Sequence, residues 1–274
     1  MKINLRLKIG VTLLAIFLLG SLILPFFTDV NPTAQGTYFK SLPMSWKHPL
    51  GTNSLGQDIF WVIVFAVRNS LLLGVSVSLI VNLISITLGL TAGYSGGWVD
   101  RLIMTLCDSF ITIPTLPILI ILASLIKGSA SFLTIGLILV AFGWAWGART
   151  TRSMALSLRE REFIHMARFS GMGHFEVIFK EIFPYVYTYG IVGFINTILY
   201  AINTEASLAV IGLSNLSVPT LGSALYWALN YNALFTKQYT WILSPVIATV
   251  LLFLGLFLTS TGYNDLFAAR RGRS

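Results

Sequence analysis

Residues 69–92 read NSLLLGVSVSLIVNLISITLGLTA, 24 positions without one ionisable side chain. A helix needs about 20 apolar residues to cross a hydrocarbon core about 30 Å thick, and a barrel strand needs only about 10. The stretch therefore predicts a membrane-crossing helix. Comparable runs recur at 9–27, 102–126, 130–148, 186–211 and 240–261, which makes six predicted spans. Hydrophobic residues are 55% of the 274 and charged residues 10%, too few to clothe a water-soluble domain of this size. Inside lipid the backbone must bond to itself, so long apolar runs imply helices. The expected fold class is an all-α polytopic membrane protein. Lys2, Arg6 and Lys8 precede the first run as they would in a secretory leader. The run is long for a leader, though, and Leu24-Pro25-Phe26-Phe27 offers no small-residue cleavage site, so it is expected to be retained.

Basic residues orient the bundle. With the N-terminus in the cytoplasm and six crossings, the inner side receives Lys2, Arg6, Lys8, Arg101, Arg149, Arg152, Arg159, Arg161, Arg168, Lys180, Arg270, Arg271 and Arg273. The outer side receives Lys40, Lys47, Arg68, Lys127 and Lys237, five against thirteen. Both termini are expected to be cytoplasmic. The net charge of +8 is this asymmetry, and it calls for no nucleic acid. The one cysteine, Cys107, excludes an internal disulfide and is expected as a small buried filler.

Arg149 to Glu181 gathers ten of the 28 Lys, Arg, Asp and Glu residues. At about 2.5–3.5 kcal/mol for each charge at the bilayer centre, such a segment stays outside the membrane. Positions 150–170 lack Gly and Pro, Gly171-Met172-Gly173 breaks the run, and Phe175, Ile178, Phe179 and Ile182 form a stripe at helical spacing. Pro184 follows. The pattern is helix, glycine turn, amphipathic helix, proline: either a solvated hairpin or a docking knuckle for a soluble partner.

His165-Met166-Ala167, then Gly171, then Phe183-Pro184, resembles the "EAA" loop of membrane subunits of ATP-binding-cassette importers. His48-Pro49-Leu50-Gly51-Thr52 with Leu55-Gly56, Asp58, Arg68 and Ser70 resembles a segment of the dipeptide, oligopeptide and nickel branch of that family. So do Ala92-Gly93-Tyr94 with Gly96-Gly97-Trp98-Val99-Asp100, Met104, Asp108 and Pro114. Glu205-Ala206-Ser207-Leu208 with Ile211-Gly212-Leu213, Pro219-Thr220 and Gly222-Ser223, and finally Asn264-Asp265-Leu266, complete the series in order. The resemblance implies a C-type permease of type I architecture. It also implies a homologous B-type permease, two cytoplasmic ATPase subunits and an extracytoplasmic substrate-binding protein, all working at a lipid bilayer. The cargo would be peptides, or else oligosaccharides or nickel chelates. Residues 1–68 would form the first helix and an extracytoplasmic segment, and 69–268 the permease core with its coupling loop at 149–184. Residues 269–274 would form a cytoplasmic tail.

No G-x-x-x-x-G-K-[ST] run occurs, so ATP and Mg are expected on the partner ATPases, with no cofactor on this chain and no catalysis by it. Contact with the ATPase is expected at His165, Met166, Ala167, Arg168 and Gly171, with Glu162 as the acid one turn earlier. Candidate pathway residues are Asn82, Ser85, Asp108, Asn196, Asn203 and Glu205. For the amides and Ser85 the competing reading is an interhelical hydrogen bond. For Asp108 it is a site at the membrane rim, and for Glu205, a gate residue or an ordinary salt-bridge partner. Histidines confined to predicted loops (His48, His165 and His174) disfavour an intramembrane serine protease. The lack of an evident internal repeat or paired Asn-Pro-Ala boxes disfavours a secondary transporter or water channel.

The orientation is testable: a cysteine introduced by Ser157→Cys is expected to react with a membrane-impermeant maleimide only from the cytoplasmic side. Labelling of intact cells from outside would reverse the topology.

Overall fold

The computed structural model describes residues 4–125 and 131–271, with side chains as far as Phe267. Lys2, Lys127, Arg273, the ends of the spans expected at 126 and 130, and the last three tail residues lie outside the described residues, as do the side chains of Arg270 and Arg271. The chain runs α1 (Leu5–Ile23), a 3-10 turn (Leu24–Phe27), α2 (Ile59–Ser95), α3 (Gly97–Thr112), α4 (Thr115–Leu125), α5 (Phe132–Arg159) and α6 (Glu162–Phe169). It continues with α7 (His174–Glu176), a π-helical stretch (Val177–Ile182), α8 (Phe183–Val210), α9 (Leu221–Asn230) and α10 (Tyr239–Arg271). No strand occurs among the described residues; Thr52 and Asp58 form one isolated bridge. Five helical segments are long and apolar enough to span, and α3 with α4, bent by 80°, makes a sixth if the pair is one crossing.

Three differences from the sequence expectation have clear causes. First, α2 starts at Ile59 instead of 69, because Asp58 caps it: its Oδ1 accepts the N–H groups of Phe60 at 2.9 Å and Trp61 at 3.4 Å. Residues 51–59 are mostly buried, packed against the preceding 32–48 stretch, and His48 Nδ1 sits 2.8 Å from Asp58 Oδ2. Second, the 102–126 run, in which Pro114 and Pro117 are the residues expected to bend a helix, goes further than a bend and is interrupted at Ile113-Pro114. The residue before a proline is pushed out of helical conformation, and Ile113 is extended with ψ 124°. Pro117 lies in the first turn of α4, where a missing N–H is harmless. Third, Pro184 does not end a helix. Phe183 N–H reaches Ile178 O, five residues back, so the chain widens into a π turn just before the proline and continues unbroken from His174 to Val210.

That π turn also splits the expected stripe. Val177, Ile178 and Ile182 are buried against Leu90, Tyr94 and Ile164, while Phe175 and Phe179 face outward. The charged segment likewise begins within a helix, since α5 carries Arg149, Arg152 and Arg159 before it stops.

The central contact is α2 against α5, which approach closely because glycine removes the intervening side chain. A Cβ on Gly89 would lie 2.5 Å from Ala148 O and 2.6 Å from Thr151 Cβ, and one on Gly93 would lie 2.6 Å from Ala155 Cβ. On the far side α1 lies along α10, tied at one end by Arg6 to Asp265 at 3.2 Å. We call that end, which also carries α6 and the arginines of α5, the basic end.

Gly89→Val is expected to destabilise the detergent-solubilised protein by about 1–3 kcal/mol through overpacking. Gly173→Ala, at a site with nothing within 4 Å and ordinary φ, is expected to leave the thermal midpoint unchanged. Thermal unfolding followed by tryptophan fluorescence checks both.

Candidate functional site

At the basic end α6 is amphipathic over eight residues, with Ile164 and Ala167 turned into the protein. It stops in a Schellman turn: Met172 N–H bonds to Ala167 O at 3.2 Å and Gly171 N–H to Arg168 O at 3.0 Å. The turn demands a left-handed residue, and Gly171 supplies φ +84°. Around it stand Met166 (66% exposed), Phe169 (89%), Phe175 (73%) and Phe179 (63%). Four large apolar side chains thus project among the densest charge in the chain.

The expected contact residues divide here. Glu162, His165, Met166 and Gly171 are on the outside. Ala167 is buried, because it forms the inner face of α6. Arg168 is exposed as well, and its side chain folds back so that Nε donates to Tyr94 Oη at 3.0 Å with the guanidinium 4.8 Å from the ring centroid. Phe169, Phe175 and Phe179 complete the projecting surface. Phe169 carried no motif signal, and periodicity grouped the two others in one stripe with Ile178 and Ile182, which are buried.

A cavity of about 420 Å³ lies between α2, α5 and α8. Of the candidate pathway residues, Asn82, Ser85 and Asn196 line it; Trp146, Tyr189 and Tyr200 add rings that the sequence did not single out. None of the lining residues is charged. The lining polar groups are also hydrogen-bonded between and within helices. Asn82 Nδ2 donates to Ser78 O at 2.9 Å, Ser85 Oγ to Trp144 O at 2.8 Å, and Ser260 Oγ to Asn196 Oδ1 at 3.0 Å. Asn82, Ser85 and Asn196 thus make helix hydrogen bonds and also line the cavity.

The remaining three candidates stand apart from the cavity. Asn203 is exposed and its backbone O accepts from Ser207 Oγ. Asp108 pairs with Arg149, and Asp100 makes a two-pronged pair with Arg152 at 2.5 and 2.6 Å. These pairs stitch α3 to α5, with Cys107 buried between them against Trp144 and Ala148, as a filler should be.

Glu205 is 1% exposed and has no cation partner among the described residues. Its Oε1 accepts from Ser214 Oγ at 2.8 Å and Thr220 Oγ1 at 3.0 Å; its Oε2 has no partner. Thr220 in turn caps α9 by accepting from Ser223 N–H, and Leu221 N–H donates to Ser70 Oγ at 3.0 Å. One carboxyl thus ties α8, the 211–220 loop, α9 and α2 into a clasp opposite the basic end. Among the described residues no cluster of His, Cys, Asp and Glu could hold a metal ion.

A family model described as binding-protein-dependent transport system inner membrane component matches residues 85–273. The chain is 36% identical over 170 residues to the oligopeptide transport system permease protein OppC of Mycobacterium tuberculosis strain H37Rv, covering 62% of this chain and 58% of that protein. It thus spans less than two thirds of the length of that relative. It is 28% identical over 235 residues to OppC of Lactococcus lactis subsp. cremoris strain SK11, covering 85% and 78%. To the dipeptide transport system permease protein DppC of Bacillus subtilis strain 168 it is 29% identical over 238 residues, covering 82% and 74%.

Glu205→Ala is expected to lower stability by about 1–3 kcal/mol, because the Ser214 and Thr220 hydroxyls lose their buried acceptor. Glu205→Gln, which keeps a carbonyl oxygen there, is expected to lose less than half as much. Chemical denaturation of the two variants in detergent gives the comparison.

Proposed function

The chain belongs to the binding-protein-dependent transport system inner membrane component family, and from that membership we propose that it is the C-type permease subunit of an ATP-driven peptide importer. In this reading it forms half of a translocation pathway in a prokaryotic cytoplasmic membrane, with both termini and the basic end facing the cytoplasm. A homologous B-type permease supplies the other half. Two ATPase subunits carry ATP and Mg, and an extracytoplasmic binding protein delivers the cargo. The chain itself performs no chemistry.

The observation that carries the reading is the apolar knuckle around Gly171. Leucines exposed on α2 or α10 face lipid at no cost, but Met166, Phe169, Phe175 and Phe179 project beside His165, Arg161 and Lys180, on a segment too charged to sit in lipid. Apolar side chains held outward in water by a rigid turn mark a protein contact. The neighbouring charges of Glu162 and Arg161 suit encounter and register. The family's ATPases are the partner of matching chemistry.

The uncharged cavity suits peptide cargo. Amide side chains at Asn82 and Asn196 offer donors and acceptors to a peptide main chain, and rings at Trp146, Tyr189 and Tyr200 offer surface to any side chain. A lining without charge favours neither acidic nor basic sequences. The same rings and amides would accept oligosaccharides, and the names of the relatives weigh towards peptides.

Reconstitution of the purified subunits in liposomes tests the reading. The chain alone is expected to hydrolyse no ATP, and the full complex is expected to import radiolabelled di- and oligopeptides with ATP consumption stimulated by loaded binding protein. Competition by excess oligosaccharide but not by peptide would reassign the cargo. Gly171→Trp strains the turn and obstructs the knuckle, so it is expected to cut uptake by about tenfold, the equivalent of one strong interface contact, with the protein still inserted. Unchanged uptake would remove the docking role.

A further inference from the structure

Arg168 is exposed, yet its side chain folds back along the surface, and what it reaches is the end of α2. Tyr94 occupies the last turn of that helix and is almost wholly buried. The Arg168 guanidinium lies against its ring and donates to its hydroxyl. From the other side of the Gly171 turn, the His174 ring packs against Tyr94 with centroids 4.4 Å apart, and His174 Nε2 is 3.1 Å from Ser95 Oγ. Arg159, at the end of α5, adds Nη1 to Gly93 O at 3.4 Å. Three basic side chains thus converge on the last residues of α2, where a helix presents unpaired carbonyls and the negative end of its dipole. The knuckle is seated on α2 from both of its flanks.

What α2 does further along gives the seat its meaning. No proline interrupts it between Tyr94 and the cavity residues Ser85 and Asn82, which lie about 14–18 Å back along the helix at 1.5 Å per residue. Through Gly89 and Gly93 it is pressed backbone to backbone against α5, which supplies Trp146 to the same cavity. A displacement applied at Tyr94 is therefore delivered to two of the three cavity walls together. The third wall, α8, follows the knuckle by a separate route through the π turn.

We propose that Tyr94 and Arg168 are positioning residues of the transport cycle: they convert movement of the knuckle into movement of the α2–α5 walls of the cavity. The assignment rests on the reading of the knuckle as the ATPase-docking element. Neither side chain touches cargo or nucleotide. Arg168 supplies a charged, planar grip on an aromatic face, and Tyr94 supplies the face and an acceptor oxygen.

The test is the number of ATP molecules hydrolysed per peptide imported, measured in proteoliposomes holding the complete complex. Arg168→Met keeps the aliphatic stem and removes the grip, Tyr94→Leu removes the ring, and Arg168→Lys restores a cation. In Arg168→Met and Tyr94→Leu, peptide uptake is expected to fall about tenfold, while ATP hydrolysis stimulated by loaded binding protein stays within about twofold of the parent. Arg168→Lys is expected to recover part of the uptake. The proposal is overturned if uptake and hydrolysis fall in parallel, as a merely structural contact would make them, or if uptake is unchanged. Should Tyr94→Leu fail to assemble, the two Arg168 variants decide alone, since that residue is at the surface. Failure of the underlying reading looks different: the parent complex itself would then show no ATP-dependent uptake.

Discussion

A hydrocarbon core offers no hydrogen-bond partner, and every polar atom this chain carries into it must be answered by the chain itself or by trapped water. Ser78 Oγ donates to Phe194 O at 2.6 Å, joining α2 to α8; Ser85 joins α2 to α5; Ser260 joins α10 to Asn196 of α8. These bonds fall where helices meet, so the cost of bringing a polar group into lipid becomes the specificity of the bundle. The amides of Asn82 and Asn196, which line the cavity, retain hydrogen-bonding capacity beyond the bonds they make. A pocket lined this way holds water or a solute with polar groups of its own.

Charge is handled by a different device at each end. At the basic end it is paired: Asp100 with Arg152, Asp108 with Arg149, Lys180 with Glu176. The first two pairs hold α3 against α5 although α3 leaves α2 through a glycine corner and turns sharply into α4. At the opposite end the buried Glu205 has no cation partner among the described residues. Glu205 is held by hydroxyls, and Asp58 by helix N–H groups and His48.

Crossing segments were legible because lipid enforces length and hydropathy together, and the 69–92 run needed no tertiary information. Its extension back to Ile59 was not legible, since it depends on Asp58 bonding to His48 ten residues earlier and capping the helix. The glycine turn was legible in Gly171, because a Schellman turn is a local event. Arg168 was not: a surface arginine in sequence looks the same whether it points to water or folds back on Tyr94, 74 positions away. Asn82, Ser85 and Asn196 stood out as polar residues in apolar runs, and the cavity gathers all three. The rings at Trp146, Tyr189 and Tyr200 carried no signal, because an aromatic residue in a membrane helix is ordinarily lipid-facing or packed. Glu205 was conspicuous as an acid in a span, but its partners Ser214 and Thr220 lie beyond a change of direction that periodicity cannot follow.

The π turn before Pro184 links these observations. A proline in an α-helix collides with the carbonyl four residues back, and the usual results are a kink or an end. Here the preceding turn widens, Phe183 bonds five residues back, and the helix carries on from the knuckle to the third wall of the cavity. The knuckle is thus attached to the cavity twice, through covalent backbone into α8 and through Arg168 and His174 onto α2. The two attachments differ in kind. On the proposed coupling, movement of the knuckle would pass to α2 through the side chains on Tyr94 and to α8 through the π turn, and the cavity lies between those two helices.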